Sequence, residues 1–274
     1  MNTRGLTLLE LLVVVSVIAL VVGILVPTLS GAHYQARLAQ GGANLQQLAQ
    51  ANLSYLNDHD SHLPQVKLLP DGTQGDDPSA VLFEWLYAGK RVDTTLFSIN
   101  IWGADRRPLN AYLGDPSAND PVQVCLDPLD EGTSDLTLHA IAGTSASDAS
   151  LRLYDIVGTS YLLNDHALDR VPCPFVEIFP TLIPKRGGRM PVVDSPSHTW
   201  LVGQGTIYNH DDGEDDRMGW HPGSTKASLA FNDGHVTLAN DVPPDMHNTT
   251  AQYTFYPREG WHERFPHAAG LHTP

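Results

Sequence analysis

The segment Arg4-Gly5-Leu6-Thr7-Leu8-Leu9-Glu10-Leu11-Leu12-Val13-Val14-Val15 begins an apolar run that continues to Val26. From Leu6 to Val26 the only polar side chains are those of Thr7, Glu10 and Ser16. A helix that rises about 1.5 Å per residue would cover roughly 31 Å over this run, which is the hydrocarbon thickness of a bilayer. The sequence therefore predicts a membrane-spanning helix over residues 6–26.

Glu10 is an ionisable side chain inside this apolar run. A carboxylate in lipid costs on the order of 2–3 kcal/mol and is by default a functional residue with a partner. No Lys or Arg occurs between Arg4 and Arg37, so the helix itself supplies no cation. Cleavage after Gly5 would create a free amine on Leu6, either in the same chain or in a neighbouring one.

Residues 5–11 resemble the class III signal of type IV pilins and type II secretion pseudopilins. In that family a prepilin peptidase cuts after the glycine and methylates the new amino terminus. The matching residues are Gly5, Leu6, Thr7, Leu8, Leu9, Glu10 and Leu11, with Leu6 in place of the usual Phe. The resemblance implies a leader over residues 1–5, processing at Gly5 and Leu6, and assembly through Glu10. Pro27 stands where the family often has a helix-kinking proline.

The predicted fold is α+β, with a long amino-terminal helix packed on an irregular, antiparallel β-rich domain of the pilin kind. Apolar residues at helical spacing predict an amphipathic continuation over residues 27–59, which gives one helix of about 53 residues and roughly 80 Å. Pro27 and Gly41-Gly42 are expected bend points, and close contact with a neighbouring strand is the alternative explanation for the two glycines. The globular domain is expected over residues 60–256 and a loosely ordered tail over residues 257–274.

Twenty prolines and 23 glycines favour short strands between turns in the globular domain. Coarse strand candidates are 136–141, 151–163, 175–183, 192–193 and 199–202, and a short buried helix is predicted at 81–88. The clearest pairing joins Lys226–Phe231 to His235–Asn240 by alternation of apolar residues. Gly234 would supply the positive φ of the tight turn between them.

Further stretches are similar to large pseudopilin-like proteins that end in a motif of His, nine residues and Asp-Gly. The similar stretches are Asn44–Leu48, Arg107–Leu113, Val124–Pro128 and Ser160–Asn164. The motif itself corresponds to His221 and Asp233-Gly234, with eleven intervening residues here. We expect Asp233-Gly234 to be a hairpin turn with which His221 can form a hydrogen bond, and a role of His221 in binding or signalling is the alternative.

The chain has 16 basic and 31 acidic residues and a formal net charge of −15, which argues against nucleic-acid binding over most of its surface. Arg4 precedes the apolar run and the acidic bulk follows it. The positive-inside rule then places the amino terminus in the cytoplasm and the globular domain in the periplasm, with a single pass through the cytoplasmic membrane.

Two other features concern ligands and redox state. Cys125 and Cys173 allow one intramolecular disulfide, which an exported domain can retain. A loop places five carboxylates within six residues, namely Asp211, Asp212, Glu214, Asp215 and Asp216. Such oxygen ligands suit Ca²⁺, as in some type II pseudopilins, but their spacing does not fit an EF-hand, and a solvated acidic loop is the alternative. No zinc or nucleophile motif accompanies the 13 histidines, so neither an enzyme nor another cofactor is predicted.

Two functions follow from the sequence. The first is a structural subunit of a type IV pilus-like or type II secretion filament. Its partners would be prepilin peptidase, other pilin or pseudopilin subunits and the lipid of the cytoplasmic membrane, and its final location a periplasmic or surface filament. The second is a membrane-anchored envelope domain that binds a ligand or catalyses a reaction through His221, Asp233 or the acidic loop.

Overall fold

The computed structural model describes residues 8–69, 71, 73–74, 81–83, 85–93, 96–133, 151–164, 193, 195–210, 215–244 and 250–256. The predicted leader, the tail from residue 257 and the predicted strands at 136–141 and 175–183 lie outside these residues, as does residue 192. The chain divides into two compact units, Met1–Ala39 and Gln40–Pro274.

Helix α1 extends from Leu8 to Asp58 and contains Pro27. Its 51 residues confirm the predicted long amino-terminal helix. The helix ends where Asp60 and Ser61 adopt φ angles of 50° and 62°. The N–H of Ser61 donates to the carbonyl of Leu56 at 2.7 Å, so left-handed residues cap the last turn in the usual way.

Two short strands follow the helix. Strand β1 (Val66–Leu68) pairs antiparallel with β2 (Val81–Phe83), with Val66 opposite Phe83. The helix predicted at 81–88 is therefore wrong, because the first three residues pair with β1 and the chain then turns. The turn is followed by Gly89, whose φ of 101° a residue with a side chain rarely adopts.

The main sheet has four antiparallel strands in the order β3-β4-β5-β6. They are β3 (Tyr161–Leu163), β4 (Trp200–Gln204), β5 (Lys226–Phe231) and β6 (Val236–Asp241). Both the predicted hairpin and the strand near 199–202 are confirmed. Gly234 has a φ of 89°, and its N–H donates to the carbonyl of Phe231 at 2.9 Å, which closes the predicted turn.

The continuous strand predicted over residues 151–163 is wrong in its first half. Residues Leu153–Val157 form a short helix, α2. Gly158 ends α2 with a φ of 94°, and its N–H donates to the carbonyl of Tyr154 at 3.1 Å. The chain becomes a strand only after this left-handed residue, because the glycine cap terminates the helix. The other connections contain 3₁₀ turns at Leu96–Ile101, Ala104–Arg106, Pro108–Tyr112, Gln123–Cys125 and Gly205–Tyr208.

The core of the globular unit lies on both faces of the sheet. On one face, buried residues of α1 pack against sheet and loop side chains: Leu45, Leu48, Ala49 and Ala51 meet Tyr161, Leu163, Val202 and Ala230. This confirms that the second half of α1 is amphipathic and lies on a sheet. Elsewhere, Trp200 makes edge contacts with Phe255 and Tyr208, with ring centroids 5.3 and 5.8 Å apart. Strand β5 is consequently buried along nearly its whole length instead of alternating between core and solvent.

Strand β6 forms one edge of this sheet. Its pairing with β5 shifts register between Ala227 and Leu229. Ala239 in β6 has a φ of 51°, which is uncommon for a residue with a Cβ, and its N–H donates to the hydroxyl of Ser228 at 3.2 Å. The edge is therefore irregular where β5 and β6 lose their simple ladder.

Gly41 and Gly42 of α1 are both close to other parts of the globular unit. A Cβ on Gly41 would lie 2.8 Å from a carboxylate oxygen of Asp127. A Cβ on Gly42 would lie 2.7 Å from the end of the Leu238 side chain in β6. Close packing, including contact with a strand, is thus a physical reason for the glycine pair.

The substitution Gly41→Ala is expected to lower the free energy of unfolding by about 1–3 kcal/mol, because the carboxylate it would strike is held in place. Gly42→Ala should cost less, since the Leu238 side chain is 43% exposed and its far end can move aside. Thermal unfolding of the full chain in detergent measures both. Gly31→Ala is the control because no atom lies within 4 Å of its Cβ position. An equal melting temperature for all three variants would contradict this account of the glycine pair.

Candidate functional site

The first part of α1 is apolar and exposed. Among the described residues α1 is the one helix long and apolar enough to cross a membrane, with a mean hydropathy of 3.0 over its most apolar 18 residues. The few hydroxyl groups in this part bond within the helix: Ser16 donates to the carbonyl of Val13 at 2.8 Å, and Thr28 to that of Leu25 at 2.8 Å. Internal hydrogen bonds of this kind are what a segment needs in an environment without water.

Glu10 lies in the first turn of α1 as described, and it is exposed. A carboxylate at a helix amino terminus interacts favourably with the helix dipole. Gly5 and Leu6 lie outside the described residues, so processing at these positions stays a prediction.

His221 of the predicted motif is only 5% exposed, and the hydrogen bond described for it goes to Gln204 of β4. His221 Nε2 lies 2.9 Å from Gln204 Oε1. The Nε2 of Gln204 donates to Asp127 Oδ2 at 2.8 Å, which fixes the orientation of the amide and makes Oε1 an acceptor. His221 therefore carries its proton on Nε2. Because its described hydrogen bond goes to Gln204, the expectation that it bonds the Asp233-Gly234 turn is wrong.

The network continues from Asp127 to other elements. Asp127 is 1% exposed, and its Oδ1 accepts the N–H of Leu129 at 2.7 Å. Gln204 Oε1 also accepts the N–H of Ser228 in β5 at 2.6 Å. The carboxylate is the group that a Cβ on Gly41 would strike, so this His221-Gln204-Asp127 network lies close to α1.

The Asp233-Gly234 turn is attached to α1 by a separate contact. The carbonyl of Gly234 accepts a hydrogen bond from Gln46 Nε2 at 2.8 Å. Asp233 Oδ1 lies 2.6 Å from Nδ1 of His235, whose ring stacks on that of Phe231 with centroids 4.3 Å apart. The Asp233-Gly234 turn is thus bonded to α1, whereas His221 is bonded to Gln204 of the sheet.

Two more buried charged groups hold the loops of the globular unit. Arg107 is 1% exposed and donates to the carbonyls of Ala88 at 2.6 Å and Val157 at 3.1 Å, while burial lowers its pKa to about 10. Asp130 accepts the N–H groups of Leu153 and Tyr154 at 3.0 and 2.9 Å, at the start of α2. Burial raises the pKa of Asp130, although these bonds and one from Ser160 act in the opposite direction.

The acidic loop is described only at its edges. Asp211, Asp212 and Glu214 lie outside the described residues. Buried Asn209 donates to Asp215 Oδ1 at 2.9 Å and accepts the N–H of Met218 at 2.9 Å, so it joins the two ends of the loop. No group of three His, Cys, Asp or Glu residues suited to a metal occurs within the described ranges. Calcium binding by the five carboxylates, with Asp216 the last of them, stays a prediction.

Cys125 is buried in the core, and burial raises the pKa of its thiol to about 12. Cys173 lies outside the described residues. The pairing of the two cysteines stays a prediction.

A groove of about 590 Å³ follows one side of α1 in the globular unit. Gln47, Gln50 and Ser54 line it from the helix, and Tyr112 to Gly114 and Pro121 to Val124 line it from the loops. Among the described residues, no charged side chain lines the groove. No local sequence pattern indicates this groove, because it forms between a helix and loops that are far apart in the chain.

No protein-family model, curated protein or solved structure matches the chain.

The stability of the globular unit is expected to fall as the pH is lowered from about 6.5 to about 4. Burial, with a smaller effect of Lys226, lowers the pKa of His221 from 6.5 to about 4. The folded state therefore favours the neutral imidazole, and this preference is fully present above pH 6.5 and is lost as His221 protonates. A shift of this size corresponds to about 3 kcal/mol.

Denaturant unfolding of the full chain at several pH values measures this effect. His221→Gln keeps an amide donor near Gln204 and removes the titration, so its stability should change less between pH 6.5 and pH 4. Identical pH profiles for the two chains would rule out His221 as the source.

Proposed function

We propose that the protein is a structural subunit of a type IV pilus-like or type II secretion filament. The observation that carries this proposal is α1, a single helix of 51 residues with an exposed apolar first part and a second part buried on a sheet. Exposed apolar surface of this extent must leave water, either in lipid or against other apolar helices. A subunit that moves from a membrane into a filament would bury this same apolar surface first in lipid and then against neighbouring helices.

Maturation is part of the proposal. Prepilin peptidase would cut after Gly5 and leave Leu6 as the methylated first residue. The chain would be held in the cytoplasmic membrane by one pass, with its globular unit in the periplasm. In the filament, Glu10 of one subunit would meet the amino terminus of a neighbour, and this pairing in an apolar environment would set the register between subunits.

The geometry of the globular unit supports a structural role for His221 of the predicted motif. His221 and Asp127 are 5% and 1% exposed, and each has a hydrogen-bond partner in Gln204. A catalytic or ligand-binding role would require substrate to reach these groups. Their positions instead suit residues that join the sheet to a loop beside α1.

The amino terminus provides the direct test of maturation. Mass spectrometry of the protein from native membranes is expected to find N-methylated Leu6 as the first residue. Gly5→Val should leave the chain uncut, because the peptidase would meet a branched side chain at the cleavage site. An intact Met1 in the unsubstituted protein would contradict the proposal and favour a simple membrane anchor.

Glu10→Ala is expected to leave processing and the melting temperature of the globular unit unchanged, yet reduce incorporation into filaments at least several-fold. The reason is that the neighbouring amino terminus would lose its counter-charge in an apolar environment. Sheared filaments analysed by immunoblot give the measurement. Ser16→Ala is the control, since it removes a hydroxyl that bonds only within the helix. Normal incorporation of Glu10→Ala would overturn the register mechanism.

A further inference from the structure

The exposed surface of α1 in the globular unit is a narrow stripe. Between residues 40 and 57 the exposed positions are Gln40, Ala43, Gln47, Gln50, Ser54 and Asn57, which we call the amide stripe. Successive members are alternately three and four residues apart, which is the spacing of the a and d positions in a helix that packs against another helix. All other residues over this length are buried or partly buried.

The amide stripe is uncharged in a strongly acidic protein. No Asp, Glu, Lys, Arg or His occurs between residues 40 and 57, whereas the chain as a whole carries a formal net charge of −15. Two copies of such a chain repel each other over most of their surfaces, and the repulsion acts within a Debye length of about 8 Å. The amide stripe itself adds no charge to that repulsion.

The chemistry of the stripe is complementary to itself. A glutamine or asparagine amide donates and accepts hydrogen bonds, so it can pair with an identical amide. Gln47 Nε2 has only a long bond of 3.4 Å to Ala43 of its own helix, and Gln50 makes no side-chain hydrogen bond within the described part of the chain. These amides are therefore available to a partner, and a charged partner would find no opposite charge here.

The space beside the stripe is suited to side chains from a second helix. Gln47 and Gln50 border the groove of about 590 Å³, and Gln40, Asn44 and Gln47 border a second groove of about 330 Å³. Both grooves are open to solvent and follow the direction of α1. The small residues Ala43 and Ser54 separate the amides and permit a close approach of two backbones.

We propose that the amide stripe is the contact between two copies of this chain in the membrane, before filament assembly, with their helices parallel and in register. In the filament, the proposed pairing of Glu10 with a neighbour's Leu6 amine would instead offset two helices by about four residues. The parallel orientation rests on the proposed function, because two chains anchored in one membrane by α1 present their helices in the same direction. In this arrangement Gln47 and Gln50 of one copy meet Gln47 and Gln50 of the other. Polar residues at such positions fix the register of a helix pair.

Cysteine crosslinking of the full chain in membranes tests the contact. Gln50→Cys is expected to form several-fold more disulfide-linked dimer under mild oxidation than Gln252→Cys, a control that replaces an exposed glutamine in a loop. The unsubstituted chain gives the background from its native cysteines. Equal dimer yields from the two variants would overturn the proposal.

Charge substitution tests whether the partner is the same stripe. In the Gln50→Cys chain, Gln47→Glu or Gln47→Lys alone should reduce the dimer several-fold, because like charges would meet. Production of the two chains together, with tags of different size, should restore the mixed dimer. Failure of the mixed dimer to recover would overturn the in-register contact.

These results separate the two proposals. Filament incorporation that depends on Glu10, without a Gln50→Cys crosslink, would overturn only the stripe contact. A Gln50→Cys crosslink in a chain that retains Met1 would support the contact and overturn the filament function.

Discussion

The buried carboxylate of Asp127 is the constraint on which much of the globular unit depends. A carboxylate removed from water is costly unless hydrogen bonds satisfy it, so its partners must be held in place as well. Those partners come from a loop, through the N–H of Leu129, and from the sheet, through Gln204. The absence of a side chain at Gly41 lets α1 approach the same carboxylate. Loop and sheet thus share one polar contact, and the helix packs closely against it.

Several buried polar residues in the stretches 107–113 and 160–164 have comparable roles. Arg107 donates to loop carbonyls, and Asn110 bonds both the N–H and the carbonyl of Gly89. Asn164 donates to the carbonyl of Trp200 at 2.7 Å. All three side chains are at most 1% exposed. Polar residues that look like part of a functional motif can therefore be structural. Their side chains give buried backbone groups the hydrogen bonds that water would otherwise provide.

Features that depend on residues close together in the chain can be predicted from the sequence. Features that depend on residues far apart in the chain cannot. The long helix and the β5-β6 hairpin were predicted because periodic apolar residues and the turn at Gly234 act locally. The short helix α2 was missed, since its start depends on Asp130, which is more than 20 residues earlier in the chain. The bond between Gln204 and Asp127 joins residues 77 positions apart, and no local pattern indicates it. The sequence singles out His221 but does not indicate Gln204 as its partner, because the two residues are 17 positions apart.

The irregular outer strand β6 has a consequence for a protein that would exist at high local concentration. A regular exposed strand is a template for pairing with another chain and so for aggregation. In β6, Ala239 adopts a left-handed conformation and the ladder with β5 shifts register, which disrupts the straight row of backbone groups that an incoming strand needs. Copies at high local concentration are thereby discouraged from joining through this edge into amyloid-like stacks.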